Sequence, residues 1–223
     1  MKRIALVQQK GGAAKTTLCV HLAVAAEQNG RRTAIIDIDR QASASNVWGG
    51  ARGEKAPPAA SVIAADLRNA LEAARSDGYQ MVFIDTPPHT APAIGVVAQH
   101  IDLALVPVQP SILDVATAQD TLVLPRANRV PVAAVMTRAA ARTDEEMHET
   151  ERALAALGLP LLMTRVIERK VYRRALTQGQ AVGEFAPSNK AAREIRALWR
   201  EIDGLDAAKV EMVAQELAQA EAA

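Results

Sequence analysis

Apolar positions along the chain alternate between two patterns: short continuous runs, and longer stretches that repeat at helical spacing. The short runs predict strands over 4–7, 33–38, 81–84, 103–108, 132–136 and 161–164. The helical stretches fall at 15–28, 62–74, 91–99, 113–124, 145–157, 171–178 and 188–202. Stop signals support these limits: Asn29-Gly30, Asp77-Gly78 and Gly158 after helices, Thr86-Pro87-Pro88 and Pro110 after strands. Residues 49–60 are rich in Gly, Pro and Ala and read as a loop. Strands apolar on both faces, alternating with helices, predict an α/β fold. It is a mostly parallel, twisted sheet with helices on both faces and right-handed crossovers. One domain is expected over 1–205, with no internal repeat. The Ala- and Glu-rich tail, 206–223, reads as a weakly docked or frayed helix.

Composition narrows the class. At 223 residues with 49% apolar and 3% aromatic side chains, the chain can bury one sizeable core built from Ala, Val, Leu and Ile. The formal net charge of +1 gives no global field toward nucleic acid, so any such binding needs a local patch. The one cysteine, Cys19, excludes an internal disulfide framework and reads as a small buried hydrophobe. No run reaches membrane-spanning length and no signal peptide is recognisable, so a soluble, cytoplasmic protein is expected. Residues 207–223 hold one Lys, three Glu and no aromatic, a poor match to an amphipathic membrane anchor.

The chemistry concentrates at strand ends. Gln8-Gln9-Lys10-Gly11-Gly12-Ala13-Ala14-Lys15-Thr16-Thr17 lies between the first strand and the first helix. Glycines permit close backbone approach to phosphate oxygens, a lysine supplies charge, and a threonine hydroxyl can ligate Mg²⁺. The general phosphate-loop pattern would place glycine at 9 and 14, where this chain has Gln9 and Ala14. An ordinary strand-to-helix turn is therefore the competing reading. Asp37, Asp39 and Asp85 close the second and third strands, at the edge where open α/β sheets bind ligands. Asp85 reads as a water-mediated Mg²⁺ partner. Asp37 and Asp39 point to opposite faces if the strand continues through them, so one can support the metal while the other reaches an attacking water. The alternative is that strand-end aspartates merely cap turns.

These motifs together resemble the ParA-type partition ATPases of the ParA/MinD family, in the small form without an N-terminal DNA-binding extension. The family's deviant phosphate loop, K-G-G-x-x-K-[ST], is matched by Lys10 to Thr16. Its D-x-D-P-Q is matched by Asp37-Ile38-Asp39-Arg40-Gln41 at all but one position, and Ala42-Ser43-Ala44-Ser45 and Trp48 follow in the same manner. Its D-[TC]-P-P is matched by Asp85 to Pro88. The resemblance continues through Arg169-Lys170-Val171-Tyr172 and Gly183-Glu184-Phe185-Ala186-Pro187 to about Ile202. It implies a deviant P-loop NTPase that binds ATP and Mg²⁺, with Gly11, Gly12, Ala13 and Ala14 in the loop around the phosphates. Lys15 would bind the β- and γ-phosphates, Thr16 would ligate Mg²⁺, and Thr17 would approach the α-phosphate. Lys10 would cross a homodimer to the partner's ATP, Asp39 would orient the attacking water, and Asp37 and Asp85 would support Mg²⁺ through water. Phe185 and Pro187 would lie near the adenine.

Two departures stand out. Ala14 replaces the family's usual glycine and would be strained if its φ is positive. Arg40 replaces proline and either tunes nucleotide affinity or faces solvent. Between 165 and 174 there are five basic residues and one acidic; with Lys190 this gives Arg165, Arg169, Lys170, Arg173, Arg174 and Lys190 as candidate DNA contacts. The same residues also read as a solvated helix face with ion-pair partners. The resemblance implies an ATPase that binds nonspecific double-stranded DNA as an ATP-bound dimer on the nucleoid. A cargo-bound, ParB-like activator would stimulate slow hydrolysis, and a plasmid, chromosome or protein cargo would be positioned. The alternatives are a membrane-associated division-site ATPase, a small-molecule ATP-dependent ligase on the same fold, and a non-hydrolysing nucleotide switch.

Overall fold

The computed structural model describes residues 1–88, 91–141, 145–205 and 207–221. In chain order the strands are β1 (Lys2–Leu6), β2 (Thr33–Asp37), β3 (Ala59–Ser61), β4 (Met81–Asp85), β5 (Leu103–Val108), β6 (Val132–Ala139) and β7 (Val166–Ile167). The helices are α1 (Lys15–Gln28), α2 (Gly50–Arg52), α3 (Leu67–Ser76), α4 (Ala91–Ala98), α5 (Ile112–Ala127), α6 (Glu145–Ala156), α7 (Lys170–Leu176), α8 (Val182–Phe185), α9 (Lys190–Asp203) and α10 (Ala207–Glu221). The strands form one parallel sheet in the order β3-β2-β4-β1-β5-β6-β7.

Side-chain alternation along these strands makes two cores. On one face Ile4, Leu6, Ile35, Phe83, Leu105 and Val135 pack with the buried residues of α1 and α9, including Trp199 against Phe83. On the other, Ala5, Val7, Ile36, Val82, Ile84 and Val106 pack with α3, α4 and α5. Both faces are covered, which is why the central strands read as unbroken apolar runs. Register sets the site: Leu6 pairs with Asp85, and Asp85 with Asp37, so the ends of β1, β4 and β2 lie level.

Two local expectations are corrected. The stretch read as a loop at 49–60 contains α2 and β3, the latter a short edge strand paired with β2 at Ile35–Asp37. Ahead of it, Ser43–Gly49 forms a π-helical turn. The strand expected at 161–164 reduces to a single bridge between Ala134 and Leu161, and pairing with β6 resumes at Val166–Ile167. The tail is helical as α10, and Val210 buries against the core; the ends of the tail at 206, 222 and 223 lie outside the described residues.

Arg52 ties this periphery together. It is 5% exposed, donates to Gly179 O at 2.9 Å and to Lys55 O at 3.1 Å, pairs with the Glu184 carboxylate at 2.9 Å, and stacks over Trp48 at 4.7 Å. Arg52→Ala removes all of these and leaves Glu184 without its cation. The expected cost is about 3 kcal/mol, seen as a fall of roughly 6–12 °C in Tm in a thermal melt.

Candidate functional site

The segment 10–14 bends twice through positive φ, at Gly12 (75°) and Ala14 (71°), before Lys15 starts α1. Two side chains pin its carbonyls from the far half of the sheet. Gln109 Nε2 donates to Gly12 O at 3.2 Å, and Thr137 Oγ1 donates to Ala13 O at 3.3 Å. Gln8, wholly buried, anchors the loop's entry: its Nε2 donates to Pro107 O, and its Oε1 accepts from Thr121 Oγ1 at 3.0 Å. The cradle is thus held open by its neighbours.

Around it lies a cavity of about 240 Å³ lined by Gly11, Gly12, Ala13, Ala14, Lys15, Thr16, Thr17, Asp39, Gln41, Ser43, Thr86, Pro88 and Arg138. A cavity of about 350 Å³ with Arg3, Arg75 and His100 in its wall sits far from this loop, by the N-terminal ends of the strands. Ligands of open α/β sheets bind at the opposite, C-terminal edge, so the smaller cavity is the candidate site.

Lys15 is buried, and burial lowers its pKa against the pull of Asp85 and Asp39. Its Nζ donates to Lys10 O at 3.3 Å. Thr16 Oγ1 donates to Asp85 Oδ2 at 2.6 Å, while Asp85 Oδ1 is buried with no hydrogen-bond partner among the described residues. Burial pushes the Asp85 pKa up to about 7, against the lowering effect of the Thr16 bond. A hydroxyl and a carboxylate side by side, with one carboxylate oxygen unmatched, suit Mg²⁺, which takes one or two protein oxygens and completes its shell with phosphate and water. No cluster of three His, Cys, Asp or Glu that could hold a metal occurs among the described residues.

The other aspartates divide their roles. β2 ends at Asp37, whose Oδ2 accepts from Ala44 N and Ser45 N, both at 2.9 Å, and from Ser45 Oγ. Its Oδ1 accepts from Asp39 N at 3.0 Å. Asp37 therefore fastens the π-helical turn; of its two sequence readings, the geometry displays turn capping. Asp39 lies beyond the strand, accepts from Gln41 N at 2.9 Å, and lines the cavity. Arg40 is exposed. Lys10 forms an ion pair with Asp114, a wholly buried residue on α5.

The remaining candidates are more scattered. Phe185 and Pro187 are absent from the cavity lining; their segment is tied to α1 where Val182 N donates to His21 Nδ1 at 3.1 Å. The basic cluster splits. Arg165 pairs with Glu151, and Arg169 with Glu194. Lys170, Arg173, Arg174 and Lys190 are exposed and make no salt bridge among the described residues, with Arg174 over the Phe185 ring at 5.7 Å. Sequence reasoning missed Gln8, Gln109, Asp114, Thr137 and Arg138, since each acts through a neighbour remote in sequence.

Two outcomes follow from this geometry. Ala14→Gly relieves a left-handed alanine, and the gain is partly offset by glycine's greater freedom when unfolded. A stabilisation of about 0.5–1 kcal/mol is expected in a denaturant titration. Asp85 has a folded pKa above its unfolded one, so its contribution to stability is full near pH 4 and is lost as pH rises toward 7. In nucleotide- and Mg²⁺-free buffer, Asp85→Asn should match the native protein near pH 4. It should exceed it by roughly a few kcal/mol at pH 8, in melts run across that range.

Comparison with known proteins agrees with this geometry. Residues 4–215 match the model of the CobQ/CobB/MinD/ParA nucleotide binding domain. The chain is 32% identical over 209 residues to the maintenance of carboxysome distribution protein A of Gloeobacter kilaueensis, covering 89% of this chain and 91% of that protein. It is 28% identical over 239 residues to the chromosome-partitioning ATPase Soj of Thermus thermophilus, covering 91% and 95%. Among solved structures, the cell division ATPase MinD of Pyrococcus furiosus superposes with a TM-score of 0.75 at 20% identity, over 91% of this chain and 98% of that one. The chain therefore belongs to the ParA/MinD family of nucleotide-binding ATPases and is of the ParA type.

Proposed function

We propose that this protein is a Mg²⁺-dependent ATPase that closes into a homodimer on ATP, binds nonspecific double-stranded DNA in that state, and positions a cargo. The observation that carries the reading is the Thr16–Asp85 hydrogen bond beside Lys15, in a cavity floored by backbone turns of positive φ. Lys15 would neutralise phosphate charge, Thr16 would ligate Mg²⁺ and Asp85 would support it through water, with Asp37 holding the turn behind them. Mg²⁺ would draw charge from the β- and γ-phosphates. Asp39, at the cavity wall, orients the attacking water. Thr17 would approach the α-phosphate, and the Phe185–Pro187 segment, outside the cavity lining, would approach the base.

Support for a dimer comes from the surface around Lys10. Ile112 and Leu113, at the start of α5 next to Asp114, are 66% and 69% exposed. A second copy facing this edge would cover them and bring its own Lys10 across. The exposed cations Lys170, Arg173, Arg174 and Lys190 are suited to phosphate contacts that read no sequence, and a dimer doubles their number. The carboxysome-distribution relative favours a protein assembly as cargo, and Soj a chromosome. In either case a cargo-bound activator, ParB-like in role, stimulates a slow intrinsic hydrolysis. No helix among the described residues is long and apolar enough to cross a membrane, and a nucleoid location follows from the DNA reading.

The test is fluorescence anisotropy on random duplex DNA at several salt concentrations. The native protein should bind with ATP and not with ADP, with affinity falling steeply as salt rises. Converting Lys170, Arg173 and Arg174 to Glu should abolish DNA binding and leave ATP binding intact. Lys15→Ala should lose both. No ATP-dependent binding by the native protein would overturn the DNA-positioning role and favour a small-molecule ligase.

A further inference from the structure

β6 does not run straight into its loop. Its pairing with β7 shifts register between Thr137 and Ala139, and Arg138, at the shift, has φ 50°. Thr137 and Ala139 are buried on either side of it. A left-handed arginine costs about 1 kcal/mol and persists only where its surroundings fix it. Bulges next to binding sites commonly re-aim a side chain. Here the residue before the bulge is the one that holds Ala13 O, and the bulge turns Arg138 over the phosphate loop. A Cβ placed on Gly12 would lie 4.0 Å from Arg138 Nη1.

Among the described residues lining the cavity, only Lys15 and Arg138 are cationic. Arg138 also borders a second cavity, of about 60 Å³, whose wall includes Thr17, Ile167, Glu168 and Tyr172. Across that boundary its Nε pairs with Glu168 at 3.3 Å, both side chains about half exposed. An exposed pair of this kind is too weak to account for a strained backbone. A planar guanidinium held beside glycine N–H groups does have a use, as a fork for phosphate oxygens.

We propose that Arg138 grips the phosphates of the bound nucleotide and that Glu168 restrains it in the free protein. The inference rests on the nucleotide-site reading above and adds a second cation and its counter-ion to it. Phosphate, with more negative charge and acceptors than one exposed carboxylate, wins the guanidinium when it enters. Glu168 then acts as a competitor for Arg138, so the two side chains have opposite effects on affinity.

That opposition is the test, read as ADP affinity by calorimetry in Mg²⁺ buffer at fixed salt, a measurement that needs no turnover. Arg138→Ala should weaken binding about tenfold or more, and Arg138→Lys should recover part of the loss. Glu168→Ala should tighten binding by up to about fivefold. The double variant should bind like Arg138→Ala, because the restraint has nothing left to hold. Unchanged affinity in Arg138→Ala, alongside loss in Lys15→Ala, would overturn the proposal and leave the nucleotide site standing. Weaker binding in Glu168→Ala, or a double variant showing the sum of both effects, would also overturn it. Failure of the native protein to bind ADP at all would remove the nucleotide reading together with this one.

Discussion

Thr16 and Asp85 meet at 2.6 Å because two rigid elements deliver them. Asp85 ends β4, paired in register with β1 and β2, so its height above the sheet is fixed by backbone hydrogen bonds on both sides. Thr16 sits in the first turn of α1, a helix with ten buried residues that cannot shift without opening the core. The contact is therefore a readout of how the sheet and the central helix are assembled. Its electrostatics are poised: the buried carboxylate has one oxygen satisfied and one waiting. Without a cation the arrangement is uncomfortable; with one, the same burial strengthens the attraction.

The periphery serves this centre by fixing what approaches it. Asp37 organises the turn that carries Ser43 to the cavity wall, and Gln8, Gln109 and Thr137 hold the phosphate loop from the side of β5, α5 and β6. His21 joins α1 to the segment at 182. Wholly buried, it has a pKa lowered to about 3, so it stays neutral and accepts from Val182 N. Its share of stability is complete above pH 6.5 and declines as acid drives the unfolded chain's histidine to protonate.

Much of the architecture was legible because parallel strands buried on both faces leave uninterrupted apolar runs. Asp37, Asp39 and Asp85 could be placed on one edge from strand direction alone, and the strain at Ala14 from a missing glycine. Other features left no such trace. β3 has three residues with small, mostly exposed side chains, too short for any period. β7 is two residues long and begins only after the chain has made a single bridge at Leu161. The neutralisation of Arg165 and Arg169 depends on Glu151 and Glu194, which only the packing of separate helices brings near. Arg138 looked like one more strand residue, since its importance lies in a backbone angle.

The ion pair between Lys10 and Asp114 changes how a lysine deletion at this position is to be read. Asp114 is wholly buried, and its other oxygen accepts from the Gln109 backbone N–H at 3.3 Å. Taking Lys10 away does more than delete a cation from the rim of the site. It also strands an anion inside the protein, and such an anion seeks a proton, a water or a new conformation. A Lys10→Ala protein thus carries two lesions, one in the loop and one at the root of α5. A companion change of Asp114 to Asn, removing the stranded charge, is what separates the fate of the lysine from the fate of the helix that holds it.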